Sequence, residues 1–361
     1  MTKDSRKKNT PQPPAKIEAA PESGKRLDDY EQSYPLQLSL FKLLDLKPNE
    51  QPRYSNTIEL YDFMPKYHWG KVERIGGEFL RVLKREFECR GTRYKIEVAP
   101  AVITDQDGKE RYYYPSKREE LVEDALRRFA TTERGVFLDD RAGVTFTLYQ
   151  LQQELKKSGH SYSIKELKDA LYICAKTTLT VTTENGNVVL ISNMFETLGL
   201  QTRDDWKGTG IKQKAFVRFN SLVSEGIKSG SFRQLDYEKA MSYSNIIARQ
   251  LHKRMSHHFT QASITTRYEI KLSTIIRDFG LAEYARPSLN LSHVLKALDE
   301  MKEKSILLLY EVQKSLDHLN RNKLLDAKFI LTPHPFFSVE ARKINDRHGR
   351  IERQLSSGEK Q

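Results

Sequence analysis

The stretch of sequence that decides the fold runs from residue 147 to residue 192 and reads TLYQLQQELKKSGHSYSIKELKDALYICAKTTLTVTTENGNVVLIS. Thr147 is a suitable N-cap for a helix whose leucines recur at 148, 151 and 155. Ser163 caps a second helix, with Glu166 at the reciprocal position of a capping box. Asn185 and Gly186 then separate two runs of β-branched residues, which is the strongest short-range signal for a β-hairpin. The order helix, helix, hairpin predicts a winged helix-turn-helix.

The same order of elements recurs closer to the C-terminus. A helical pattern at 242–259 is followed by a short helix that Ser273 caps and by a longer one that opens at Pro287. Apolar runs at 305–312 and 327–331 then predict the two strands of a second wing. Because the unit occurs twice, we predict the fold class α+β, with tandem winged helix-turn-helix domains and a disordered N-terminal arm.

Four segments follow from these patterns. Residues 1–60 are predicted to be a disordered arm and tether, because the first 26 residues combine seven basic residues with four prolines and few apolar side chains. Residues 61–235 are assigned to winged-helix domain 1, with contacts to the DNA backbone. Residues 236–340 form winged-helix domain 2, the main DNA-recognition domain, and residues 341–361 form a polar tail.

The balance of charge indicates an anionic partner. The chain has 60 Lys and Arg against 48 Asp and Glu, which gives a net charge of +12. Twelve of the basic residues and only four acidic ones lie between residues 207 and 271. Such a balance points to nucleic acid. No apolar run approaches the roughly 18 residues of a membrane span, and the polar N-terminus is unlike a secretory signal. We therefore expect a cytoplasmic protein with no membrane partner.

The sequence lacks the motifs of rolling-circle initiators and of ATP-hydrolysing enzymes. His257 and His258 are adjacent, so on a helix their side chains diverge by about 100° and do not form the metal-binding pair of a rolling-circle initiator. No phosphate-binding Walker loop is present. The two cysteines, Cys89 and Cys174, fall on apolar faces and are too few for a disulfide framework or a four-cysteine zinc site. We expect no enzymatic activity, no cofactor and no metal.

The predicted DNA contacts lie on the side of each recognition helix that faces away from its apolar stripe, because a helix-turn-helix places its second helix in the major groove. In the first unit they are Lys165, Lys168, Tyr172 and Lys176, with Asn185 in the wing; in the second they are Arg286, Asn290, His293 and Lys296. Phosphate contacts are predicted for the basic residues Lys214, Arg218, Arg249, Lys253 and Arg254.

Residue chemistry favours the second unit as the reader of sequence, since Lys and Arg can contact guanine and Asn can pair with adenine. The first recognition helix also carries Glu166 and Asp169, so it can equally be a protein interface. For any single residue of either helix, an ordinary solvated face is the alternative.

A short motif precedes the first folded element. It consists of Gln37, Leu38, Ser39, Leu40 and Phe41. These residues resemble the sliding-clamp-binding pentapeptide of bacterial replication proteins, in which leucine and phenylalanine anchor in an apolar pocket. The alternative is that the three apolar residues begin the core.

Together with residues 145–151 (TFTLYQL), the motif and the two units resemble the iteron-binding plasmid replication initiators of the TrfA type. The resemblance in organisation covers residues 36–335. It implies binding to direct repeats in double-stranded origin DNA, opening of an adjacent AT-rich region with contact to its single strands, and recruitment of the host sliding clamp, replicative helicase and host initiator. It also implies a homodimer in equilibrium with monomers, dimerisation through the first unit, and a bacterial cytoplasm in which the protein associates with a plasmid or the nucleoid.

Two other classes of protein share part of this pattern. A winged-helix transcriptional regulator would have the same helices, wings and charge, but it does not need the clamp-like motif or its tether. A scaffold with degenerate winged helices has no use for the basic segment. The sequence therefore favours an initiator, with the regulator as the alternative.

Overall fold

The computed structural model describes residues 54–70, 79–104, 107–131, 134–138, 141–186, 189–200, 214–263, 265–284, 286–317, 319 and 323–358. Its helices are α1 (Glu59–Phe63), α2 (Lys117–Ala130), α3 (Leu148–Lys157), α4 (Ile164–Lys176), α5 (Ser221–Lys228), α6 (Tyr237–Ser242), α7 (Ile246–His258), α8 (Leu272–Asp278), α9 (Pro287–Glu303) and α10 (Pro335–Gly358). Its strands are β1 (Tyr54–Thr57), β2 (Leu83–Cys89), β3 (Thr92–Ala99), β4 (Ala101–Thr104), β5 (Glu110–Tyr113), β6 (Gly135–Leu138), β7 (Arg141–Thr147), β8 (Thr178–Thr183), β9 (Val189–Asn193), β10 (Phe195–Leu200), β11 (Lys214–Phe219), β12 (Arg233–Asp236), β13 (Tyr268–Lys271), β14 (Leu307–Asp317) and β15 (Lys323–Pro333). The arm up to residue 53 and the motif at 37–41 lie outside the described residues.

The stretch 147–192 folds in the predicted order α3, α4, β8, β9. The Thr147 hydroxyl accepts a hydrogen bond from the backbone N–H of Gln150 at 3.1 Å, and the Gln150 side chain accepts one from the N–H of Thr147 at 2.9 Å. Ser163 and Glu166 form the same reciprocal pair at the start of α4. These caps satisfy N–H groups that a helix start otherwise leaves unpaired.

The first wing belongs to a larger sheet with the strand order β2-β3-β8-β9. Strands β2 and β3 form an antiparallel hairpin, and β3 pairs with β8 from Ala99↔Thr178 to Tyr94↔Thr183. A second sheet of order β10-β11-β7-β6 leads directly into α3 through β7. Helix α4, the predicted recognition helix of the first unit, contacts β4 and β10 and packs against α2.

The second unit consists of α7, β13, α8, α9 and the long hairpin β14–β15, with the sheet order β13-β15-β14. The prediction that Ser273 caps α8 is wrong. The helix begins one residue earlier, and the Ser273 hydroxyl donates to Asp326 of the wing at 2.8 Å. Gly280 has a φ of +62° just after α8, a left-handed conformation that favours glycine and ends the helix. The described fold is thus of the predicted α+β class.

Two of the predicted boundaries need correction. Residues 54–60 are not part of a tether, because β1 pairs antiparallel with β12 and α1 starts at Glu59. Residue 341 does not begin a separate tail, because it lies inside α10, where Ala341 and Ile344 are buried.

The apolar core has two parts. One contains buried residues from Ile58 to Met241, and the other contains buried residues from Tyr243 to Ala341. The first core therefore extends through α6, slightly beyond the predicted division at 235/236. The helix predicted at 242–259 begins at Ile246, because Asn245 caps α7 by accepting a hydrogen bond from the N–H of Ile247 at 2.9 Å.

None of the helices in the described ranges combines the length and the apolar character required to cross a bilayer.

Candidate nucleic-acid interface

Helix α9 has one buried face and one exposed face. Leu291, Val294, Leu298 and Met301 are buried against the rest of the second unit. The opposite side is exposed and carries Arg286 at the N-cap, followed by Ser288, Leu289, Ser292, His293 and Lys296. This face concentrates polar and basic groups in the N-terminal half of the helix, where a helix-turn-helix meets base edges.

The charge on this face is positive. Within the described ranges, no ion pair neutralises Arg286, His293 or Lys296. The N-terminal end of α9, which begins at Pro287, adds the partial positive charge of the helix dipole. The face is therefore suited to contact with a polyanion.

The predicted base contact by Asn290 is wrong. Asn290 is 3% exposed; its side-chain nitrogen donates to the carbonyl oxygen of Ala282 at 2.9 Å, and its oxygen accepts from the N–H of Tyr284 at 3.1 Å. It lies in register with Val294, one turn further along the buried face. Asn290 thus holds the turn between α8 and α9 and has no polar atom left to present to a base.

Tyr284 is a contact that the sequence did not indicate. Its ring meets the His293 ring edge-on, with centroids 5.5 Å apart and an interplanar angle of 89°. Both side chains are exposed. The turn that Asn290 holds therefore supports the imidazole of His293 from one side.

The second wing presents further polar side chains. Gln313, Lys314 and Ser315 are exposed on β14, and Lys323 is exposed at the start of β15. Closer to the base of the wing, Glu311 pairs with Arg267 at 3.2 Å, and Glu269 pairs with Lys328. Lys314 is a further candidate phosphate contact that was not predicted from the sequence, since the predicted base contacts of the second unit lie on its recognition helix and not in its wing.

In the first unit, the predicted residues of α4 form one stripe. Lys165, Tyr172 and Lys176 are exposed and Lys168 is half-buried, at a spacing that follows one side of the helix. The ammonium of Lys176 also donates to the carbonyl oxygen of Val102 at 3.0 Å. Asn185 is exposed in the turn of the first wing.

Lys214 and Arg218 lie on β11 and are half-buried. They occupy equivalent positions of the strand, so their side chains share one face of the sheet. The structure places this strand between β7 and β10.

Three predicted phosphate contacts, Arg249, Lys253 and Arg254, are wrong because all three side chains are buried. Arg249 lies 3.0 Å from Glu120 through Nη1 and also donates to the carbonyl oxygens of Ala240 and Tyr243. All five side-chain N–H groups of an arginine need partners when the group leaves water, and these contacts supply several of them.

Lys253 and Arg254 are satisfied in the same way. The ammonium of Lys253 lies 2.7 Å from Asp124 and 3.3 Å from Glu120. Arg254 lies 2.9 Å from Asp278 and donates to the Tyr268 hydroxyl at 3.1 Å. These cations on α7 therefore neutralise carboxylates of α2 and α8 inside the protein.

The pKa values of this cluster reflect the balance between burial and charge. Burial alone would lower the pKa of Lys253, but Asp124 and Glu120 outweigh it and the pKa is raised. Burial raises the pKa of Glu120, and Lys253 and Arg249 reverse that effect so that it is lowered. For Asp124 burial dominates and the pKa is raised. Lys253 is accordingly held in its charged form.

A sequence signal for this cluster existed in α2. Glu119, Glu120, Glu123 and Asp124 stand on a helix whose residues from 119 to 126 are all buried. Buried carboxylates need cationic partners. The segment 207–271, in which basic residues outnumber acidic ones, supplies them through Arg249 and Lys253.

The described residues contain no group of three or more His, Cys, Asp or Glu side chains arranged to hold a metal ion.

Comparisons with known proteins give structural neighbours only. No family model and no curated protein matches the chain. Among solved structures, domains 2 and 3 of RctB share 12% identity over 80% of this chain and 98% of theirs, with a TM-score of 0.44. A second structure of RctB domains 2–3 has 11% identity, 75% and 98% coverage and a TM-score of 0.43.

The Pi initiator protein in complex with iteron DNA has 11% identity, covers 60% of this chain and 91% of its own, and has a TM-score of 0.40. With these identities and with TM-scores below 0.5, the likenesses by themselves establish neither a family nor a function for this chain.

Proposed function

We propose that this protein is a replication initiator that binds direct repeats in double-stranded plasmid origin DNA. The observation that carries the proposal is the exposed face of α9. It places Arg286, His293 and Lys296 between the N-cap and the middle of a recognition helix, and none of the three forms an ion pair among the described residues. A duplex with phosphates on both sides of a groove fits this arrangement.

The residues divide between two kinds of contact. Arg286 and Lys296 flank the face, so they are suited to phosphates or to guanine. Ser292 and His293 lie between them and carry donors and acceptors for base edges. Lys314 on the wing adds a phosphate contact outside the groove. This division supports both salt-dependent affinity and sequence readout.

The first unit supplies a second surface. The stripe of Lys165, Lys168, Tyr172 and Lys176 on α4 is suited to the DNA backbone, while Glu166 beside it suits a protein partner. We assign to this unit backbone contacts and dimerisation, in a homodimer that is in equilibrium with monomers.

The remaining part of the proposal comes from the sequence. The motif at 37–41 is proposed to bind the host sliding clamp. Opening of an AT-rich region, contact with its single strands and recruitment of the replicative helicase and host initiator complete the initiator's role. Such a protein acts in the bacterial cytoplasm and catalyses no reaction itself.

Footprinting of the purified protein on its own origin region, at two salt concentrations and with random duplex as competitor, tests this function. Regularly spaced protection over direct repeats is expected. Protection of a single palindrome over a promoter would instead establish a transcriptional regulator, and the absence of any footprint would contradict both roles.

Two variants connect the footprint to α9. Arg286→Ala and Lys296→Ala should each weaken binding and reduce the slope of log affinity against log salt by about one. Lys343→Ala removes an exposed lysine from α10 and serves as the matched control, with unchanged protection expected. Equal losses for all three variants would show that the basic charge of the whole protein, and not α9, binds the DNA.

A further inference from the structure

Leu289 is an apolar side chain that the fold leaves outside its core. It lies in the first turn of α9 and is 46% exposed, whereas Leu291 and Leu298 of the same helix are buried. Because it points away from the core, its side chain contributes little to the packing of the second unit. Its place on the helix is one at which a helix-turn-helix contacts base edges.

The surroundings of Leu289 are aromatic and basic. His293 follows one turn later on the same face, and the 41%-exposed Tyr284 packs edge-on against His293. Arg286 precedes this patch and Lys296 follows it, and both are exposed. The two cations on either side of this apolar patch match the phosphates on either side of a DNA groove. A DNA duplex is therefore the occupant that fits the patch.

The major groove offers one apolar group to such a patch. Thymine presents its 5-methyl group there, while the other base edges present hydrogen-bond donors and acceptors. A leucine over those polar edges would displace water without replacing its hydrogen bonds, which is unfavourable. Over a methyl group, the same side chain gains apolar burial.

We infer that Leu289 recognises the 5-methyl group of thymine in the major groove, so that thymine is specified at one or more positions of the binding site. Tyr284 and His293 border the methyl group and restrict the position of the base. This inference rests on the proposed function, since it requires that α9 enter the groove.

Replacement of thymine by deoxyuridine tests it, because that change removes the methyl group and leaves base pairing intact. A preferred duplex is first selected from a random pool with the full-length protein. Each thymine is then replaced singly by deoxyuridine, and dissociation constants are measured. At one or more positions we expect a loss of about fourfold, the effect of burying one methyl-sized group.

The leucine is tested on the same duplexes. With Leu289→Ala, the thymine and uracil duplexes should bind equally at the sensitive position. Leu289→Met keeps an apolar side chain there and should retain the discrimination. Leu308→Ala is the matched control, because Leu308 is also 46% exposed but lies on β14, and it should discriminate as the wild type does.

Several outcomes would overturn the inference. Wild-type binding that ignores every deoxyuridine would exclude methyl recognition, and undiminished discrimination by Leu289→Ala would exclude Leu289 as its source. Both leave the proposed function intact. Failure to select any sequence would overturn the proposed function and this inference with it.

Discussion

The ammonium group of Lys253 lies 2.7 Å from Asp124 Oδ2, and this buried contact joins helix α7 of the second unit to helix α2 of the first. Glu120 and Arg249 extend it with a second ion pair at 3.0 Å. Arg249 and Lys253, two basic residues of α7, therefore connect the two parts of the apolar core.

Removal of one partner from this cluster should be costly to stability. Lys253→Ala leaves the buried carboxylate of Asp124 without its cation at 2.7 Å and removes one of the two cations beside Glu120, so we expect the free energy of unfolding to fall by about 3–5 kcal/mol. Urea denaturation followed by circular dichroism measures the change. Glu311→Ala, which breaks the half-exposed pair with Arg267, is the control and should cost less than about 1 kcal/mol. Similar losses for both variants would show that the buried ion pairs stabilise the protein no more than the half-exposed pair does.

Asn290 and His293 should separate stability from recognition. Asn290→Ala leaves the carbonyl of Ala282 and the N–H of Tyr284 without their partner, so unfolding should become easier by about 1–3 kcal/mol. His293→Ala removes an exposed side chain, so stability should stay within about 0.5 kcal/mol while specific binding falls more than non-specific binding. Thermal unfolding and competition binding measure the two effects. A selective loss of specific binding in a fully stable Asn290→Ala protein would restore Asn290 as a reader of bases.

Stability should decline in mild acid through His252. Burial lowers the pKa of this histidine from 6.5 to about 4, and its Nδ1 is buried without a hydrogen-bond partner among the described residues. As the pH falls below 6.5, the unfolded chain binds a proton that the folded chain does not accept until about pH 4. Stability is therefore full above pH 6.5 and is lost as the pH falls, by up to about 3 kcal/mol from this group. Urea denaturation between pH 7 and pH 4 should show a shallower decline for His252→Leu than for the wild type. Parallel curves would assign the acid sensitivity to other groups.

The motif at 37–41 should act apart from DNA binding. Leu40→Ala combined with Phe41→Ala should abolish binding to an immobilised sliding clamp while origin protection stays unchanged, because the apolar anchors are lost. Lys42→Ala, next to the motif, should bind the clamp normally. If these side chains instead begin the core, the double variant will unfold at lower urea concentrations, and clamp binding by the wild type will be absent.

Local chemistry made part of this fold predictable. Thr147 and Ser163 have their capping partners three residues away, and the left-handed conformation of Gly186 needs no contact with distant residues. These features depend only on neighbouring residues in the sequence. The same holds for the exposed face of α9, which lies opposite a leucine and valine stripe.

Long-range partners made the rest unpredictable. Arg249 and Lys253 read as surface cations because their carboxylates on α2 are more than a hundred residues away. The pairing of β1 with β12 joins segments that are even farther apart in the sequence. The predicted base contact by Asn290 was wrong for a different reason. Asn290 lies four residues before Val294 on the same side of α9, and this spacing alone already places its side chain toward the core.

Under the proposed function, the ion pairs between α2 and α7 also bear on the DNA sites that the protein recognises. Because they connect the two units through buried contacts, the two recognition helices have a set separation and a set relative angle. One extra base pair between two contacted segments moves the second segment by about 3.4 Å along the duplex and rotates it by about 34° around the axis. If both units bind DNA as proposed, the protein measures the spacing of its DNA elements as strictly as their sequence, and a lengthened spacer would disengage one unit even with every base of both elements intact.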